Sequence, residues 1–250
     1  MWKSIKRLFR SKSIANEVVD VFKLTDDRNW DLYNYVRQKI NLEVIYTTDS
    51  FDSCNIGVKN ATIYISIKNP SIESFTHELL HIYFKLKGVN IVDYFKICVG
   101  ESVDLQFLFD TELIEHICNV LVHKKMLPIY LSMGFNIEGF LTDYSISKCT
   151  KKQILSLKKY HSLLPKTKVE FFRLFVGNFF AMKCCPNERF NYEVFYDELK
   201  KIDLTLFKGL SSIVDEWDSY QLDSRNEITY AYSKIIDEII NSSKIWNRVN

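Results

Sequence analysis

Apolar positions recur along this chain with two periods. Between residues 42 and 67 the period is two. Leu42–Tyr46 is short and β-branched, and in Ala61–Ile67 the residues Ile63, Ile65 and Ile67 alternate with Thr62, Tyr64 and Ser66. Two strands are expected there. Thr47–Ser53 reads as a turn-rich connection, and Asn60 can turn a hairpin from a third strand at Asn55–Lys59. Elsewhere the period is helical. Helices are expected over Ile14–Leu24 (Val18, Val19, Phe22) and Trp30–Ile40 (Trp30, Tyr33, Val36, Ile40), and from Ser71 to Gly88 (Phe75, Leu79, Ile82, Leu86). The stretch 89–110 is mixed, with a helix after Gly100. Thr111–Lys125 is strongly helical, with Pro128 expected to close it and Ile129–Gly134 continuing as helix or turn. Further amphipathic helices are expected at Lys151–Leu164, Val169–Met182, Tyr192–Ile202, Leu206–Tyr220 and Ile228–Ile240.

This order predicts an α+β fold that is mainly helical: a small N-terminal sheet packed on one helix, and a helical C-terminal part. Seven Gly and four Pro in 250 residues argue against a turn-dense all-β protein, and 47% hydrophobic residues suffice for a sizeable core. The expected division is residues 1–135 and residues 136–250. The aromatic stripe Phe171, Phe172, Phe175, Phe179 and Phe180 is expected in the core rather than around a ligand.

A net charge of +2 selects no partner for the chain as a whole, and no nucleic acid is expected. The six cysteines make no CxxC pair, which points to reduced thiols and a cytoplasmic protein. The start lacks the apolar run of a secretory signal, and no stretch is long enough to span a membrane. Residues 1–12 carry five basic side chains and no acid, with Trp2, Ile5, Leu8 and Phe9 at helical spacing. They read as a terminus lying on the domain, or as an arm touching a membrane surface or an acidic partner.

The chemistry concentrates in His77-Glu78-Leu79-Leu80-His81, an HExxH pattern. It lies on a helix with Asn69 or Ser71 to cap it, Pro70 suited to its first turn, Glu73 favoured near the positive end of its dipole and Gly88 at its end. Residues four apart share a helix face, so His77 and His81 can reach one metal ion, with Glu78 beside the open position as a general base. A catalytic zinc (Zn2+) needs a third protein ligand. The Thr111–Lys125 helix offers Glu115, with Asn119 one turn on to accept the free N–H of a ligating histidine. Glu112 is the runner-up and His116 ranks third. His123, eight residues after Glu115, reads as a helix-end histidine or as an oxyanion stabiliser or proton donor. His161 has no motif around it and reads as surface. The lysines 148, 151, 152, 158 and 159 read as an exposed helix face.

Glu115-His-Ile-Cys-Asn119, followed by the ending Met126-Leu127-Pro128, resembles the second motif of the ImmA/IrrE family of zinc metallopeptidases. The HExxH helix behind a strand is similar too, and the resemblance covers roughly residues 40–130. It implies a gluzincin-like site with His77, His81 and Glu115 on zinc, Glu78 as base and Asn119 supporting a ligand. It also implies a protein or peptide substrate, such as a regulatory protein, cut by a metalloendopeptidase. On the residues alone, an extended substrate is expected to pair with the strand around Ile63–Ile67. Two other readings compete: a catalytically silent peptidase-like binding or regulatory module, and a basic nucleic-acid or membrane-surface module built on residues 1–12.

Overall fold

A computed structural model describes residues 19–221 and 225–249. Residues 1–12 and most of the expected Ile14–Leu24 helix lie outside the described residues. Of that helix, Val21–Leu24 forms a 3-10 turn, capped by the Asp20 carboxylate accepting from the Phe22 amide. The fold is α+β and mainly helical. The elements are α1 (Trp30–Lys39), β1 (Asn41–Thr47), β2 (Ser53–Ile56), β3 (Asn60–Ser66), α2 (Ile72–Leu86), α3 (Ile91–Gly100), α4 (Val103–Leu108), α5 (Thr111–Ser132), α6 (Lys151–Ser162), α7 (Lys168–Lys183), α8 (Glu193–Ile202), α9 (Leu204–Ser219) and α10 (Arg225–Val249). No helix among the described residues is long and apolar enough to cross a membrane.

The chain forms two compact units. One joins residues up to Val89 with Lys125–Ser145; the other joins Asn90–Lys124 with Ile146 onward. Helix α5 runs unbroken through the boundary between Lys124 and Lys125.

The first unit carries the sheet, in the order β1-β3-β2. β1 pairs with β3 in parallel, Leu42 opposite Ala61 and Tyr46 opposite Ile65. β2 pairs with β3 antiparallel, Cys54 opposite Ile63, through a hairpin in which the Gly57 amide donates to the Asn60 carbonyl at 2.8 Å. Ala61, Ile63 and Ile65 are buried, as their period of two requires. One expectation is corrected here. β3 is the central strand, so the stretch expected to receive an extended peptide already has a neighbour on each side. Past the ladder with β2, the Ser66 amide donates to the Asp52 carboxylate and the Ile67 amide to the Thr47 carbonyl. The sheet's outer strands are β1 and β2.

Helix α2 packs on α1, β2 and β3, burying Phe75, Leu79, Leu80 and Ile82. Gly88 at φ 102° ends it, with the Val89 amide reaching back to the Phe84 carbonyl at 3.0 Å. Helix α5 differs from expectation as well. It continues through Pro128 to Ser132. An internal proline costs about 3 kcal/mol. Here Pro128 faces solvent, while Met126 and Tyr130 on either side of it are wholly buried and hold the helix on course.

The second unit is helical. The whole stripe Phe171, Phe172, Phe175, Phe179 and Phe180 of α7 is core. Trp246 of α10 lies against Phe171 and Phe172, its indole N–H donating to Asp203 at 2.7 Å. The Trp217 indole N–H donates to the Leu121 carbonyl at 2.8 Å. Arg173 caps the end of α4 by donating to the carbonyls of Phe107 and Leu108, and pairs with Asp110 at 2.6 Å. The stretch before Gly100, whose pattern was mixed, is helix α3. All six cysteines are free thiols.

Candidate metal centre

Three features set the position of α2. Ser71 caps it, its hydroxyl accepting from the Ser74 amide at 3.0 Å. Asp52 bridges the end of β3 to the first turn of α2, accepting from the Ser66 amide and from Ser74. Burial raises the Asp52 carboxyl above the usual carboxylate range, and these two hydrogen bonds oppose the rise. Thr76 donates to the Ile72 carbonyl at 2.7 Å and accepts from the Asn29 amide at 2.8 Å. Asn29 is 0% exposed; it also donates to the Leu24 carbonyl and accepts from the Asp26 amide. The HExxH segment is therefore held in rotation as well as in position.

On that helix His77 Nε2 and His81 Nε2 stand 3.1 Å apart. Two imidazole nitrogens on one tetrahedral ion, each about 2.0–2.1 Å from it, stand about 3.3 Å apart. The observed spacing matches that arrangement. The third group comes from α5. The ring nitrogens of His77, His81 and His123 all lie within 4.8 Å of one another, which makes the three histidines a group able to hold a metal ion. His123 enters from the turn of α5 that leads into Lys125–Ser145, so a short continuous helical stretch sets its place. Downstream of it Tyr130 packs on Phe140, and Phe140 packs edge-on against the His77 ring at 4.8 Å.

The electrostatics favour neutral rings. Burial pushes His77 well below the ordinary histidine value, the neighbouring His81 adds to that, and a hydrogen bond with the Phe140 backbone opposes it. Burial also lowers His81, to about 4. Both imidazoles are then unprotonated at neutral pH, as metal ligation requires. Glu78 sits between them in sequence and is 7% exposed; His77 and His123 are each 9% exposed.

The other candidates fall elsewhere. Glu115, the expected third ligand, makes an ion pair with Lys96 at 2.9 Å. It lies two turns from His123, about 12 Å along the helix axis at 1.5 Å per residue. Glu112 is half-buried and outside the histidine group, and Asn119 is exposed. His116 donates from Nε2 to the Gly177 carbonyl at 3.1 Å. His161 is exposed. One signal for His123 as a ligand was present in the chain. Val122, Met126 and Tyr130 surround it at helical spacing and are all buried, so this histidine occupies an inward stripe.

Three imidazoles this close can bind a divalent transition metal. Imidazole alone does not choose between zinc, copper, iron and nickel. No model of a known protein family, no curated protein and no solved structure matches the chain.

Proposed function

We propose that the protein is a zinc-dependent metalloendopeptidase whose metal ligands are His77, His81 and His123 and whose general base is Glu78. The observation that carries the reading is the convergence of three ring nitrogens within 4.8 Å around an HExxH helix. The resemblance of the HExxH helix and of Glu115–Pro128 to the ImmA/IrrE peptidases points the same way, although the ligand favoured here is His123 rather than Glu115. A zinc ion held there supplies Lewis acidity, which acidifies water and polarises a carbonyl. The chain does the rest. Glu78 accepts the proton of the attacking water and delivers it to the departing amine. His77 and His81 stay neutral, His77 with its ring against Phe140, and His123 supplies the third ring nitrogen. An extended protein substrate would add at an outer strand, β1 or β2, since β3 is enclosed.

The test is metal content together with hydrolysis. Protein purified without chelator should carry about one zinc per chain, a three-histidine set being one of those that hold catalytic zinc. It should cleave members of a peptide library, and the Glu78→Gln variant should keep the zinc and lose the cleavage. One observation favours a second reading, a catalytically silent module with a structural metal: the base and two of the ligands are less than a tenth exposed. Zinc retention with no cleavage of any library member by the wild type would select it.

A further inference from the structure

The closed state of the site has an identifiable cause within the sheet unit. After α5 the segment 134–145 returns over α2. It starts at Gly134, whose φ of 87° gives a sharp left-handed turn, with its amide bonded to the Leu131 carbonyl. Phe135 comes next, stacked on Tyr130 at 4.9 Å, with the Arg28 guanidinium 4.1 Å over its ring. A single 3-10 turn, Ile137–Gly139, then presses on α2. A Cβ at Gly139 would lie 2.8 Å from Glu73 Cγ and 3.0 Å from the Tyr130 hydroxyl oxygen, so glycine alone permits that approach. Phe140 follows, 2% exposed, with its ring against His77 and its backbone hydrogen-bonded to the same imidazole.

We propose that segment 134–145 is a strap that gates the histidine group, with the Phe140 ring as the part that closes over His77. Its backbone-to-backbone hydrogen bonds are local: Gly139 to Asn136, Phe140 to Ile137, and Tyr144 to Leu141. Lifting it breaks no strand pairing and no helix. Aromatic packing of Phe135 on Tyr130 and of Phe140 on Tyr130 and His77 holds it down. The Tyr130 hydroxyl beneath it, buried with no hydrogen-bond partner, marks the junction as imperfectly satisfied in the closed state. Lifting exposes His77.

The experiment uses metal-free full-length protein and diethyl pyrocarbonate, with carbethoxylation of each histidine followed by peptide mass mapping. His161, which is exposed, serves as the internal reference. In wild type His77 should react about ten times slower than His161, and Phe140→Ala should raise the His77 rate about tenfold with His161 unchanged, as expected when a local closing contact is removed. A His77 rate within twofold of wild type in folded Phe140→Ala overturns the proposal. Should that variant not fold, hydrogen exchange on wild type decides. Strap amides exchanging well ahead of those in Ile72–Leu86 support a gate, and exchange of both in one global event refutes it. A third arm rests on the proposed function: zinc release into a chromophoric chelator should be faster in Phe140→Ala. A protein that holds no zinc defeats the proposed function, while the labelling and exchange arms still decide the gate.

Discussion

The side-chain amide of Asn29 donates to the Thr76 hydroxyl at 2.8 Å, one residue before the first histidine of the metal group. The same amide bonds the Leu24 carbonyl, and its oxygen accepts from Asp26, so one buried side chain joins the approach to α1 with the middle of α2. Asn29→Ala should lower unfolding stability by about 2–3 kcal/mol, because it strands buried polar groups. Urea denaturation measures this, and a change under 0.5 kcal/mol would deny Asn29 this role.

Metal content separates the two candidate third ligands. His123→Ala should bring zinc in purified protein to background, as should His77→Ala or His81→Ala. Glu115→Gln should leave the zinc content as in wild type, since that carboxylate is engaged by Lys96. The reverse pattern, zinc lost in Glu115→Gln and kept in His123→Ala, would return the third position to Glu115.

The place of His123 beside His77 and His81 has a physical reason for being hard to read from the chain. HExxH is a local arrangement, so residues 77–81 offered two candidate ligands and a candidate base without tertiary information. The capping of α2 and its end at Gly88 were legible for the same reason, as were the inward stripes of β3 and α7. The third ligand is a long-range matter, and two candidates on one helix differ by two turns. The position of β3 at the centre of the sheet was hidden likewise, because an alternating pattern shows which faces are buried and not how many edges are paired. The passage of α5 through Pro128 shows packing overriding propensity.

Glu78→Gln should abolish peptide cleavage, lowering kcat by about 10²–10⁴, while leaving zinc stoichiometry and the far-ultraviolet spectrum unchanged. A parallel loss of zinc would mean that Glu78 acts through the ligands and not as a base. Cleavage by the variant at wild-type rate would end the peptidase mechanism proposed for it.

The lowered histidines give metal-free protein a defined pH response. In the folded state His77 and His81 titrate below the ordinary value of 6.5, His81 at about 4. Above pH 6.5 neither the folded nor the unfolded chain protonates them, so they contribute no pH dependence there. Between 6.5 and about 4 the unfolded chain takes up protons that the folded chain refuses, and stability falls as pH falls. The thermal midpoint of the metal-free protein should drop across that window, and His81→Asn should flatten the drop. A midpoint independent of pH from 7 to 5 would contradict the burial of these rings.

Tyr130 offers a gain in stability. Its hydroxyl is buried without a hydrogen-bond partner, while its ring packs on Phe135 and Phe140. Tyr130→Phe keeps the ring and removes the stranded polar group, and should stabilise the protein by about 1–2 kcal/mol. Denaturant melts measure it; a loss of more than 1 kcal/mol would show that the hydroxyl has a partner in solution.

The sheet order β1-β3-β2 also dictates when the site can come into being. β1 and β2 are made first yet share no hydrogen bond, since each is joined only to β3. As the chain leaves the ribosome, everything up to Ile56 must wait without a sheet to join. The strand that closes both seams arrives at Asn60–Ser66, and α2 begins only six residues after it ends. The last piece of the scaffold and the first piece of the metal group are thus delivered almost together. A proline in the middle of β3 would remove a ladder hydrogen bond and weaken the sheet on which α2 packs.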